Sequence, residues 1–578
     1  MKLRDRALVG ILSVALVVLS VAALAPSLQS SEGQPEPTPG LPNARPYVEG
    51  VLGRATTANP FGARSAADRA LVALMFRGLV RLGPGSAIVG DLASRWTVDE
   101  SGTTWTFHLR EDLFWEDGQP ITAEDVAFTV GVLSDPAYTG PGGESWRDVS
   151  ATVVDPLTVE LRLSTPLGGF LQAATQPIAP AHLLGDVPPE IIADDPFGQA
   201  PVGSGPYRLA YLLGQLASLT ASTPIEPLPP DPGGPNFTTP RPTDSLASAR
   251  PTAKADVAVP RLSAIEFRYY DDLETLREDW DAGQLDAVSG LQPADAKALA
   301  ATRGARLLSY PGTTLLAAGL NLRTGRVAFQ DPAVRRALLQ AVDRNRLVST
   351  VLSGLGSRAD SLIPPSSPMF DAATTKELAV DVAAARKALT DAGWKSSDAG
   401  WIPKGETKAL VIELLSPEET ANPVAYAMAV GLVAAWRGIG LAVRHVPLPA
   451  SELIGERLAR GEFQAAVVPF AIGLDPDVYP LLAASQTRRG GSNVIGLQDP
   501  DLDKLLVAAR TPTGGEARVG AYRALQERLA ARTYMLPLAF RNEYVVLRDT
   551  VVGPEPRPVA TSGDRFWDVL TWRLAEGT

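Results

Sequence analysis

TWTFHLREDLFWEDGQPITAEDVAF, residues 104–128, holds a strand, a turn and a helix start within 25 residues, and that mixture decides the fold class. Trp105, Phe107 and Leu109 alternate with Thr104, Thr106 and His108, the period of a strand with one face buried. Thr122-Ala-Glu-Asp125 then supplies a hydroxyl N-cap and an acidic first turn for a helix running through Phe128. Downstream, Val159, Leu161 and Leu163 alternate again as a strand. Upstream, Leu71, Leu74, Met75, Leu79 and Leu82 recur at helical spacing, which predicts a helix between Arg64 and Leu82, ahead of the turn Gly83-Pro84-Gly85. A helical stretch from Ala333 to Leu352 is followed by Gly354-Leu-Gly356. That glycine pair follows a helix where a dinucleotide fingerprint needs a strand, so it reads as a helix-ending turn. Strands and helices mix to the C-terminus, and an α/β body is expected.

The chain has 578 residues, no cysteine, three histidines and a formal charge of −11. Its length calls for several lobes. The missing cysteines exclude disulfides, thiol nucleophiles and Cys-ligated metals. The acidic excess gives no support to nucleic-acid binding. Lys2, Arg4 and Arg6 precede Ala7–Ala25, 19 residues without a charge. This is the pattern of an export signal, and it is long enough to span a bilayer. Ala23-Leu24-Ala25 has the form of a cleavage site, but Pro26 follows it. An uncleaved anchor is therefore preferred over a cleaved signal, with the rest of the chain outside the cytoplasmic membrane. Residues 26–46 read as a disordered tether. Between Pro224 and Pro260 ten prolines fall in 37 residues, which reads as an extended surface insertion.

A search for chemistry returns little. No G-x-S-x-G elbow, H-E-x-x-H pair or P-loop is present. His108, His182 and His445 stand far apart without metal-ligand spacing. Asp499-Pro-Asp501-Leu-Asp503 opens like a calcium loop. Lys504 and Arg510 then occupy the positions that need glycine and glutamate. Asp475-Pro-Asp477 and Asp271-Asp272 are acidic pairs of the kind loops and caps carry. No catalytic residue, metal site or cofactor is expected.

Several segments in order resemble one family, the extracytoplasmic solute-binding proteins of peptide/nickel/oligopeptide ABC transporters, family five. They are Asn59-Pro-Phe61, Met75-Phe-Arg-Gly-Leu-Val80, Gly90-Asp-Leu-Ala-Ser-Arg-Trp96, Trp105-Thr-Phe-His-Leu-Arg110, Phe114-Trp-Glu-Asp-Gly118 and Ile121-Thr-Ala-Glu-Asp-Val126. Gly203-Ser-Gly-Pro-Tyr207, Ala282-Gly-Gln-Leu-Asp286, Leu320-Asn321, Phe329–Ala337, Ala341–Arg344, Ile363-Pro-Pro365 and Ala384–Trp394 continue the series. The resemblance covers about residues 47–550.

It implies a two-lobe periplasmic-binding-protein-like fold of type II, with an extra inserted domain. Mapped onto this chain, lobe I is 47–95 with 200–312 and 535–578, the inserted domain is 96–199, and lobe II is 313–534. The function implied is capture of oligopeptides or related solutes between the lobes and delivery to the permease subunits of an ABC importer, without bond chemistry. A monomer is expected. Peptide-binding members usually carry an acid just ahead of an Asp-Pro pair to hold the peptide's amine, whereas Phe470-Ala-Ile-Gly-Leu-Asp475-Pro476 offers apolar residues. The ligand wall is expected to comprise Asp475, Asp477, Tyr479, Asn493, Phe540 and Asn542, with a place in the core as the alternative for Tyr479 and Phe540. A membrane-tethered sensor or cell-envelope interaction protein on the same fold is the competing function.

Overall fold

The computed structural model describes residues 45–222 and 260–575, apart from 326, 489 and 512–514. The export segment (1–25), nearly all of the tether (26–46) and nearly all of the Pro-rich insertion (224–260) lie outside the described residues. Among the described residues no helix is long and apolar enough to cross a membrane.

The chain enters through strand β1 (Tyr47–Leu52) and helix α1 (Ala66–Met75). Ser65 caps α1 in a reciprocal box with Asp68. The sequence places this helix through Leu82, but it stops at Met75, and Val80–Leu82 form a short strand instead. The chain turns extended at Phe76, whose N–H closes the last helical bond on the Val72 carbonyl; two residues on, Gly78 packs so tightly on the Thr175 carbonyl that a Cβ would lie 2.7 Å from it.

Strands β2 (Ala93–Val98), β3 (Thr104–Leu109), β4 (Val149–Asp155) and β5 (Thr158–Leu163) form a four-stranded sheet in the order β2-β3-β5-β4. In β3 the expected alternation holds, with Trp105, Phe107 and Leu109 buried and their neighbours half-buried. Helix α2 (Ala123–Ser134) packs over β4 and β5 and starts where Thr122 and Asp125 cap it reciprocally. Its Val126, Val130 and Leu133 are at most 1% exposed. Full burial of each such side chain stabilises the fold by roughly 1.5–3 kcal/mol.

The larger sheet is mixed and has eleven strands among the described residues. Besides β1 it contains β6 (Tyr207–Leu213), β7 (Leu216–Ala221), β8 (Ala264–Tyr270), β9 (Ala287–Ser289) and β10 (Ala305–Leu320). It is completed by β11 (Gly356–Arg358), β12 (Val411–Pro417), β13 (Ala442–Leu448), β14 (Ala465–Ala471) and β15 (Met535–Arg548). The order is β13-β12-β14-β10-β15-β9-β1-β8-β7-β6, with β11 beside β15.

Two of these strands are unusually long. At ~3.3 Å per residue, the 16 residues of β10 extend over about 50 Å, more than one lobe needs. Its first part, Ala305–Tyr310, pairs with Glu543–Arg548 of β15, and its second part, Thr314–Gly319, pairs with Met535–Arg541. Between them Pro311, Gly312 and Thr313 face Asn542 alone, a bulge in the ladder. The hydrophobic core divides at the same place. Tyr310, Val545 and Leu547 belong to one core together with β1, α1 and the four-stranded sheet. Leu315, Leu316, Ala539 and Phe540 belong to another, built around helix α4 (Pro423–Gly438). Helix α3 (Pro332–Gln340) lines that second core. The stretch expected as one helix from Ala333 to Leu352 breaks after α3, because Asp343 accepts from the Arg346 N–H and caps a new helix, Arg344–Val351. The molecule is thus a two-lobed α/β body whose lobes share one sheet.

Candidate functional site

Beyond the end of β14, Ile472-Gly-Leu-Asp475-Pro-Asp477 leads into a short helix, Tyr479–Leu482. Helices α5 (Pro500–Arg510) and α6 (Gly515–Arg532) bring two arginines onto this turn. Arg518, 2% exposed, donates from Nη2 to Asp475 Oδ1 at 2.7 Å and from Nε to the Ala509 carbonyl at 3.3 Å. Burial alone would lower the basicity of this guanidinium; the bond to Asp475 outweighs it and holds the group above its ordinary value. Arg510 Nε lies 2.9 Å from Asp477 Oδ2. The contact is an ion pair in which Nε completes no hydrogen bond. The same guanidinium covers the Tyr479 ring at 4.4 Å, a cation–π contact. Burial pushes the Asp477 carboxyl up, against the pull of Arg510. The Tyr479 hydroxyl shares a hydrogen bond with Ser485 at 2.9 Å.

The other lobe reaches this cluster through the loop that follows β5. The Gly168 N–H donates to the Arg510 carbonyl at 2.5 Å. A Cβ on Gly169 would stand 2.6 Å from the Asp475 carboxyl carbon. The sequence Pro166-Leu-Gly-Gly169, in the segment 96–199 expected as the inserted domain, is therefore a contact point with the second lobe, and neither glycine stands among the expected site residues, nor do Arg510 and Arg518. The doubled glycine after a strand is the one local signal that could have pointed there.

Of the six residues expected at the ligand, the fold brings Asp475, Asp477 and Tyr479 together on one turn. Asn493 stands behind them, 1% exposed. Its amide donates to the carbonyls of Leu482, Ala483 and Leu497 and accepts from the Leu497 N–H, so it ties the Tyr479 helix to the following loop. Phe540 is 1% exposed within the second core. Asn542 occupies the bulge, where its amide donates to Ser309 Oγ at 2.9 Å and its N–H to the Leu355 carbonyl at 3.2 Å. Ahead of Asp475, Ile472 is 4% exposed and contributes no charge.

The remaining motifs resolve into structural duties. Asp499 caps α5 through the Asp501 and Leu502 N–H groups and pairs with Arg528 at 2.7 Å. Asp503 accepts from the Ala484 N–H. Asp272 caps the helix Leu273–Asp281, while Asp271 pairs with Arg54 at the surface. His108 bonds Thr158, His182 bonds Asp117 and His445 bonds Ser416. Among the described residues no His/Asp/Glu group could hold a metal ion.

Comparison with known proteins places these features. The profile of bacterial extracellular solute-binding proteins, family 5 Middle, matches residues 87–492. The glutathione-binding protein GsiB of Salmonella paratyphi A is 23% identical over 437 residues, 74% of this chain and 75% of that protein. GsiB of Shigella flexneri is 24% identical over 356 residues, and the match spans 62% of its length. Among solved structures, the oligopeptide-binding protein AppA of Bacillus subtilis, in complex with a nonapeptide, superposes with a TM-score of 0.69 at 21% identity. The alignment covers 92% of this chain and 100% of AppA. NikZ of Campylobacter jejuni, in complex with Ni(L-His), also gives 0.69 at 21% identity over 91% and 99% of the two chains.

Proposed function

This chain belongs to the bacterial extracellular solute-binding proteins of family 5, and on that premise we propose that it captures oligopeptides or related small solutes between its lobes and presents them to an ABC importer. The observation that carries the reading is that one sheet changes its core partners at the bulge in β10 and β15, with the two largest of four buried clusters on either side. Two rigid bodies joined by a narrow, irregular crossing can close on a ligand by bending there. Closure needs only a higher affinity for the closed form. Asp475, Asp477 and Tyr479 stand on the second-lobe wall at the closing face, and Asn542 stands at the pivot. Residues 7–25 hold the protein at the membrane as an anchor, and it works as a monomer with permease subunits as partners.

The test is a thermal-shift screen of the purified full chain against di- to pentapeptides, oligosaccharides and divalent metals. A peptide at ~100 times its Kd adds about 2.7 kcal/mol and raises Tm by several degrees. A shift with peptides is the expected result. Silence from a folded sample across the peptide panel overturns the reading and turns attention to a sensor or cell-envelope role.

A further inference from the structure

At the bulge, Pro311, Gly312 and Thr313 have only Asn542 opposite them, so the ladder leaves their carbonyls to find partners elsewhere. The Pro311 carbonyl accepts from the Val559 N–H at 2.9 Å, and the Thr313 carbonyl accepts from the Ile472 N–H at 3.4 Å. Val559 also sits beside Gly312 in an isolated parallel bridge. Val559 belongs to the first core and Ile472 to the second. One short piece of β10 is thus held by both bodies, and it passes from one to the other within Gly312-Thr313.

Val559 is fixed in turn by the C-terminal segment that carries it. Arg565, 4% exposed, donates from Nη2 to the Glu49 carboxylate of β1 at 2.5 Å, and Glu49 is fully buried. Removing either partner would leave a buried charge alone, so this segment stays with the first lobe. Arg557 donates to the Gly83 carbonyl at 3.2 Å, and the Ser562 hydroxyl donates to the Ala66 carbonyl of α1 at 3.3 Å. The Trp572 ring meets Tyr47 edge-on, with centroids 5.8 Å apart.

We propose that residues 557–572 form a strap that sets where the molecule bends. Val559 clamps the bulge to the first lobe, Ile472 clamps it to the second, and closure turns the chain at Gly312-Thr313. Val559 is a positioning residue for solute capture, acting through the bulge and not through the solute. A bend confined to one place brings the wall that carries Asp475 and Tyr479 to the same position each time the lobes close. The inference rests on the reading that the lobes bend at the bulge, and it holds for any solute they enclose.

The experiment uses the full chain, which has no cysteine of its own. Val154→Cys in the four-stranded sheet and Ile454→Cys in the second lobe, 59% and 58% exposed, carry spin labels. Pulsed electron spin resonance then gives the interlobe distance distribution. Val559→Pro removes the donating N–H and should broaden that distribution about twofold, because the unclamped bulge bends in more ways. Val559→Ala keeps the N–H and should keep the parent's breadth. A folded proline variant with the parent's distribution overturns the strap, and so does an alanine variant that broadens as much as the proline one. Where the proline variant does not fold, amide exchange in the parent decides. The Val559 N–H is expected to exchange at least ~100-fold more slowly than an open-chain amide, and exchange at the open-chain rate overturns the proposal. The peptide screen reads binding alone, so a proline variant that binds peptides without broadening removes the strap and leaves capture standing.

Discussion

Among the described residues, two contacts between the lobes are built on different principles. At the pivot, β10 and β15 cross together, and their ladder resumes on each side of the bulge, from Ala305 opposite Arg548 to Gly319 opposite Met535. At the far contact one backbone hydrogen bond and two glycines rest on a pair of ion pairs. A strand ladder bends but does not come apart without leaving buried backbone groups unpaired. A contact of one bond and a few close approaches can break and re-form at little cost. The pivot is therefore expected to set whether the protein folds and where it bends, and the far contact to set how closely the lobes approach.

Substitutions that separate those two effects sharpen the contrast. Gly312→Val carries the largest expected effect. A Cβ there would lie 2.0 Å from the Arg541 carbonyl oxygen, which is main chain and cannot turn aside. Loss of about 3 kcal/mol or more in urea unfolding is expected; an unchanged midpoint would remove the bulge from the account. Arg518→Met leaves Asp475 with no partner under the loop and should cost about 2–3 kcal/mol, read as a lower Tm. It should also lengthen the interlobe distance, which Gly312→Val in a surviving folded fraction should not do by the same route.

Acid comes next. Burial alone would raise the Asp499 carboxyl; the bonds from the Tyr534 hydroxyl and Arg528 outweigh it and depress it to about 2 from 3.8. A depressed acid contributes stability that is complete above its unfolded value and is lost as pH falls through the folded one. Between pH ~4 and ~2 the helix that presents Arg510 should lose about 1–2 kcal/mol, and Asp499→Asn should flatten that slope in a Tm–pH series. An unaltered slope in the variant would assign the acid sensitivity to other carboxylates. Asn542→Ala, which deletes the bond to Ser309 at the pivot, should cost about 1 kcal/mol and leave the interlobe distance unchanged. A distance shift as large as that of Arg518→Met would erase the distinction between the two joints.

The parts of the fold that were legible in the sequence are those whose cause is local. The β3 alternation needs only Trp105, Phe107 and Leu109, and the start of α2 needs only Thr122 and Asp125 reading each other across one turn. Where a tertiary neighbour decides, the local pattern misleads. The apolar spacing runs on through Leu82, but the backbone turns extended at Phe76 and Gly78 packs against the Thr175 carbonyl. The break between Ala333 and Leu352 has a local cause of another kind, the Asp343 cap on the Arg346 N–H, which apolar spacing does not carry. The site was half legible. The Asp475–Tyr479 turn could be found because it is contiguous. The partners that give it meaning are distant: Arg518 is 43 residues away, and Ser309 and Asn542, at the pivot, are 233 apart. Asn493 drew attention as a polar residue near that turn. Its amide is spent on three backbone carbonyls, which no side-chain pattern records.

The most direct test joins the two halves of the account. The spin-labelled protein is measured before and after addition of an equimolar mixture of di- to pentapeptides. The account predicts that the peptides move the distribution to a shorter interlobe distance, because a ligand bound between the lobes favours the closed form. A peptide that raises Tm while the lobes stay at the longer distance would contradict capture by closure.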